Sequence, residues 1–165
     1  MVLTKAELIS SLQNEIRILV HLCSKVQPEM VDYRPTDKQR STIELLRYLT
    51  MMGPVLVPSI KAGKFLMDEW TAEDAKSKTL DFEAAVKSLE SQGAFYGEAV
   101  GAFTDEELRE DVDIFGSKAS RGKWIVNVVL CAHAAYRTQL FCYLKSCGRD
   151  ELNTYNLWAG VDGEM

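Results

Sequence analysis

The chain has 165 residues, 47% of them hydrophobic and 26% charged, and a formal net charge of −5. That length suits one domain closing on a single hydrophobic core. The acidic balance, without any lysine or arginine block, argues against a nucleic-acid partner, because phosphates repel the molecule as a whole.

The first helix is predicted to start at Thr4. The string Thr4-Lys5-Ala6-Glu7 is a capping box, in which two side chains satisfy free amides of the first turn. Leu8, Leu12, Ile16, Leu19, Cys23 and Val26 then recur every three or four residues as one apolar stripe, which Pro28 ends. A polar loop, "EMVDYRPTDKQR", follows. It concentrates Arg34, Lys38 and Arg40 beside the next helix start, where free amides favour an anion.

A second capping box, Ser41-Thr42-Ile43-Glu44, opens the second helix. Leu45, Leu46, Leu49, Met52 and Leu56 form its apolar side. Pro54 and Pro58 each remove an amide donor and crowd the preceding turn, so a kink or break is expected near Gly53-Pro54. Ala62 to Lys78 reads as a long connection holding a short turn capped by Thr71. A link of that length frees the second and third helices from being antiparallel neighbours.

The third helix carries Phe82, Val86, Leu89, Gly93, Tyr96, Val100 and Phe103, alternating four and three apart, the heptad seam of a bundle helix. Thr104 to Glu107 repeats the capping signature and starts one extra turn. The segment "EDVDIFGSKASRG" reads as a loop with a brief extended pair around Gly116.

The fourth helix is predicted from about Lys123 to Ser146, with Gly148 as its left-handed terminator. Val126, Val129, His133, Tyr136, Leu140 and Tyr143 share its inner stripe. The longest apolar run, Ile125 to Ala135, is interrupted by Asn127 and His133 and falls short of the about 20 residues of a membrane span. The tail, residues 149–165, is too polar for a helix, and Trp158 is expected to dock it on the bundle. The prediction is one all-α domain, a four-helix bundle with its core at about 4–148 and a long connection between the second and third helices.

The start "MVLTKAELISSLQNE" turns polar too soon for a signal peptide. The four cysteines, Cys23, Cys131, Cys142 and Cys147, show no CxxC spacing. A reduced, cytoplasmic protein is expected, with no membrane partner.

Two stretches carry a family resemblance. "DYRPTDKQRSTIELLRYL" resembles the start of the second helix of the DinB/YfiT-like bundles. "AHAAYRTQLFCYLKSCG" is similar to their fourth-helix word, with Tyr136-Arg137-Thr138-Gln139, Tyr143-Leu144-Lys145 and Gly148 in the matching places. The resemblance implies a divalent metal held by one histidine of the second helix and two of the fourth, spaced i and i+4 on one helical face. Carried over, those positions are Tyr48, Ala132 and Tyr136, and none is histidine. His133 lies one residue from a ligand position, rotated about 100° around the helix. The resemblance also implies a homodimer.

No metal and no cofactor are therefore expected. The pocket candidates are Tyr48, His133, Tyr136, Arg137 and Gln139. Tyr48 and Tyr136 are expected to fill the former metal site, bonding to each other or to His133, and a phenol with a pKa near 10 is no base at neutral pH. Arg137 is expected to hold the loop between the first two helices through a carboxylate or carbonyl. Cys131 and Cys142 read as small buried hydrophobes before they read as nucleophiles.

The leading expectation is a metal-free bundle that binds a small molecule or serves as a stress-related accessory protein. A metal-dependent hydrolase or thiol-transferase with unconventional ligands is the alternative enzyme reading. A structural homodimer is the third.

Overall fold

A computed structural model describes residues 3–163. In chain order the elements are α1 (Lys5–Cys23), a 3-10 turn (Pro28–Met30), α2 (Thr42–Ala62), α3 (Met67–Ser77), α4 (Phe82–Gly101), α5 (Asp105–Arg109), strands β1 (Asp111–Ile114) and β2 (Ser117–Ser120), α6 (Arg121–Trp124), a π-helical segment (Ile125–Leu130), α7 (Cys131–Ser146) and, in a tail expected to hold no helix, a π-helical turn (Tyr155–Ala159). The helices α1, α2, α4 and the unbroken stretch from α6 to α7 make the all-α four-helix bundle. Leu12 and Leu19, Leu45 and Leu49, Leu89 and Val100, and Val129 and Leu140 meet at its centre. Each such buried side chain contributes roughly 1.5–3 kcal/mol relative to exposure.

Thr4, Ser41 and Thr104 all cap as predicted, each with a glutamate three residues on completing the box. The last helical stretch is closed by Gly148 at φ 90°, in the left-handed region that glycine favours. One turn within it is widened, with the Cys131 amide donating to the Val126 carbonyl.

The expected break at Gly53-Pro54 does not occur: α2 runs through both prolines. The reason lies in α4. Pro54 has no amide to offer the Thr50 carbonyl, and the Gln92 side chain supplies one instead. Its Nε2 donates to the Thr50 carbonyl at 3.0 Å and to the Leu49 carbonyl at 2.9 Å. Although α2 has the length and hydropathy of a membrane span, 72% of that apolar stretch is buried within the bundle.

The connection after α2 is also more ordered than its composition predicts. It holds the eleven-residue helix α3, and Thr71 lies within it, bonding back to the Met67 carbonyl at 2.9 Å, so it is no cap. No side chain caps α3; the Leu66 amide ahead of it donates to Ser59 Oγ of α2 at 3.1 Å. A tertiary contact replaces the local start signal.

The extended pair around Gly116 is a two-strand antiparallel hairpin, with Asp111 opposite Ser120 and Ile114 opposite Ser117. Its two-residue turn has Phe115 at φ 58° and Gly116 at φ 72°, the double positive φ that suits tight hairpins.

The tail folds against α1, but not through its indole. Arg17 donates to the carbonyls of Ala159 at 2.8 Å and Gly160 at 3.2 Å, and Lys25 pairs with Asp162 at 2.7 Å. Leu152, Asn156 and Gly160 are the tail residues that go under among the described ones. Trp158 stays 65% exposed, with the Arg137 guanidinium 5.1 Å from its ring centre. A cation–π contact stands where burial was expected.

Candidate functional site

Tyr48 of α2 and Tyr136 of α7 face each other edge-on, ring centres 5.3 Å apart at 70°. Trp70 of α3 stands 6.1 Å from Tyr48, Phe65 stands 5.4 Å from Trp70, Phe115 stands 5.2 Å from Phe65, and Trp124 stands 5.9 Å from Phe115. The rings form one continuous row from α7 across α2 and α3 to the hairpin tip and α6. Tilted and edge-to-face pairs at these distances each contribute about 0.5–1.5 kcal/mol beyond area burial. At the α2 end the Arg40 guanidinium covers the Tyr48 ring at 4.1 Å.

Burial, then the neighbouring Tyr136, pushes the Tyr48 phenol above its ordinary range, with Arg40 opposing. Tyr48 therefore keeps its proton at neutral pH and acts as a hydrogen-bonding and stacking group.

His133 does not join this pair. It is 0% exposed, and its Nε2 lies 2.6 Å from the Tyr96 hydroxyl of α4. That hydroxyl donates to Gln92 Oε1 at 3.0 Å, while the Gln92 amide serves the α2 carbonyls. With the Tyr96 proton committed to Gln92, the network assigns the His133 proton to Nε2. Nδ1 then keeps a lone pair, and it has no hydrogen-bond partner among the described residues. Burial pulls the His133 pKa down to about 4 and pushes the Tyr96 phenol up. The imidazole is thus neutral and sealed.

The sequence reading missed Gln92. Its signal was its place three residues beyond Leu89 and four before Tyr96, on the buried face of the helix.

Arg137 and Gln139 lie on separate errands. The Arg137 Nε stands 2.9 Å from Glu15 Oε2 of α1 without the alignment of a hydrogen bond, so the contact is an ion pair. Desolvation raises the Glu15 pKa despite that cation. A terminal nitrogen of Arg137 donates to the Leu157 carbonyl. Arg137 therefore ties the tail to α1, and the expected bond to the loop between the first two helices is made by Tyr143. The Tyr143 hydroxyl donates to the Arg40 carbonyl at 2.9 Å, and Gln139 donates to that hydroxyl. Gln139 is a support for the loop. Of the five candidates, only Tyr48 and Tyr136 stand together.

The anion rim at the start of α2 is likewise revised. The Thr42 and Ile43 amides donate to the Tyr33 and Val31 carbonyls, both at 2.9 Å, and the Glu44 amide goes to Ser41 Oγ. Arg34 is committed to Glu44 at 3.2 Å. What opens beside Tyr48 is a cleft of about 420 Å³ between α2 and the end of α3, lined by Arg40, Glu44, Arg47, Tyr48, Asp74 and Lys78, with Ser77 at its base.

Cys131 and Cys142 are exposed, contrary to expectation. They fall on the outer face of α7, whose inner face is taken by His133, Arg137, Leu140 and Tyr143. Cys23 is the buried thiol, pushed up to about 12 by desolvation.

The positions that the resemblance assigns to a metal offer two phenols and a methyl group. Among the described residues no three histidine, cysteine or acidic side chains gather closely enough to hold an ion. Zinc takes three or four nitrogen, sulfur or carboxylate ligands, so this donor set does not fit the metal.

No protein-family model and no curated protein matches the sequence. Among solved structures, the crystal structure of a DinB-like protein, YjoA from Bacillus subtilis, matches with a TM-score of 0.68 at 18% identity, over 90% of this chain and 96% of that one. The chain has the DinB-like bundle fold.

Proposed function

We propose that this DinB-like bundle is a metal-free small-molecule-binding protein whose site is the cleft at Tyr48. The observation that carries the reading is the separation of His133 from that cleft. The imidazole is sealed against Tyr96, so Tyr48 and its neighbours supply stacking surface and hydrogen-bond donors but no group poised to take a proton near neutral pH. A partly apolar cleft of 420 Å³ with a few convergent polar groups is what small ligands occupy. Hydrolysis or thiol transfer finds less support: the resemblance's metal positions hold no imidazole, and neither Cys131 nor Cys142 lines the cleft.

The test is a fragment screen read by amide and indole chemical shifts on the isotope-labelled protein. Binders should perturb Tyr48, Trp70 and Arg47. Binders that cluster elsewhere, or none at all, would refute the reading.

A second reading, pairing of two copies, is favoured by the tail. Tyr155, Trp158 and Val161 are all exposed on and just after one short turn, an apolar set that a partner would cover. Sedimentation across a concentration series checks it: a monomer at every concentration contradicts pairing.

A further inference from the structure

We infer that the Tyr48 cleft selects a small organic oxyanion, a carboxylate or a phosphate monoester, and that Arg47 and Arg40 are the residues that read it. The inference rests on the small-molecule reading above and names the ligand class.

Both carboxylates on the cleft wall are already neutralised. Glu44 is bound by Arg34 at 3.2 Å and by the Ser41 amide at 2.8 Å. Asp74 is paired with Lys78. The two guanidinium groups are not. Arg47 is half-buried and spends only its Nε, donated to the Leu80 carbonyl at 2.7 Å, and it has no carboxylate within ion-pair distance among the described residues. Its two terminal nitrogens remain for the cleft. Arg40 stands over the Tyr48 ring, its guanidinium carbon 4.1 Å from the ring centre, and also lacks a carboxylate partner among the described residues.

A half-buried cation without a counter-charge is costly to keep dry, and it is retained here in a chain whose net charge is −5. A guanidinium fork matches the two oxygens of a carboxylate or phosphate. The Leu80 carbonyl anchors the Arg47 fork through Nε, while the Tyr48 ring holds the Arg40 guanidinium over its face. The Tyr48 ring, which lines the cleft, adds apolar surface for the ligand's body. The cleft thus presents two guanidinium groups beside the Tyr48 ring, a match for an acid head carried on a ring or short chain.

The experiment compares benzoate and phenyl phosphate with neutral benzamide, by calorimetry and by chemical shift, on the full chain. Benzoate or phenyl phosphate should bind and perturb Tyr48 and Trp70, and benzamide should bind at least about tenfold more weakly, as expected for losing a charge-assisted pair. Arg47→Gln should lose about tenfold for the acids and leave benzamide unchanged, whereas Lys118→Gln, on the exposed strand β2 and outside the cleft lining, should change neither by that much. Arg47→Lys, which keeps the charge and loses the fork, should recover only part of the affinity. Benzamide binding as tightly as the acids would overturn the oxyanion assignment while leaving the small-molecule reading intact. Acids that bind without any dependence on Arg47 or Arg40 would overturn it too, as would no binding by any of the three probes.

Discussion

Tyr96 reaches across the bundle to His133, its hydroxyl 2.6 Å from Nε2, and the same oxygen passes within 1.8 Å of where a Cβ on Gly53 would stand. One phenol thus explains two features of distant segments: why the fourth helix tolerates a buried imidazole and why α2 carries a glycine before its first proline. Gly53→Ala should destabilise the protein by more than about 2 kcal/mol in urea titration, since overpacking outweighs the helix propensity gained. Tyr96→Phe should cost about 1–3 kcal/mol by leaving His133 and Gln92 short of partners. The double variant should cost clearly less than the sum, because removing the oxygen relieves the clash. Strict additivity would show that the two sites are not in contact.

The sealed imidazole should also set the acid limb of stability. The folded pKa of His133 is about 4, below its ordinary value of 6.5. Between those values the unfolded chain binds the extra proton, so His133's contribution is complete above about pH 6.5 and is lost as pH falls toward 4. The full loss is roughly 3 kcal/mol. Urea unfolding from pH 7 to pH 4 should show that decline in the wild type and a flatter one in His133→Gln, which cannot titrate. Equal slopes would place the imidazole in contact with water.

Much of this architecture was legible in the sequence because its signals are local. Thr4, Ser41 and Thr104 announce their helices within four residues, and Gly148 announces an end. What stayed hidden depends on partners far along the chain. Pro54 reads as a breaker until Gln92 supplies the missing donor from α4. The helix α3 lacks a capping side chain and is anchored by Ser59 instead. The pairing of Tyr48 with Tyr136 followed from the family words, but the diversion of His133 to Tyr96 did not, because helical periodicity places a residue on a face without choosing its neighbour.

The register of the two tyrosines is itself open to experiment. Tyr48→His, Ala132→His and Tyr136→His together should create a site with one imidazole on α2 and two spaced i, i+4 on α7, able to bind zinc or nickel with three nitrogen ligands. Calorimetry should show one site per chain in the triple variant and none in Tyr48→His alone. A folded triple variant that takes up neither ion would place the fold's metal position elsewhere.

The most direct check on the account is the metal content of the unsubstituted protein, purified without an affinity tag and without chelators, measured by elemental analysis alongside a zinc titration. The protein should carry less than about a tenth of an equivalent of any divalent ion and show no saturable zinc binding, because structural and catalytic sites need three or more suitable ligands. One equivalent of a tightly held ion, lost together with thermal stability on adding a chelator, would contradict it.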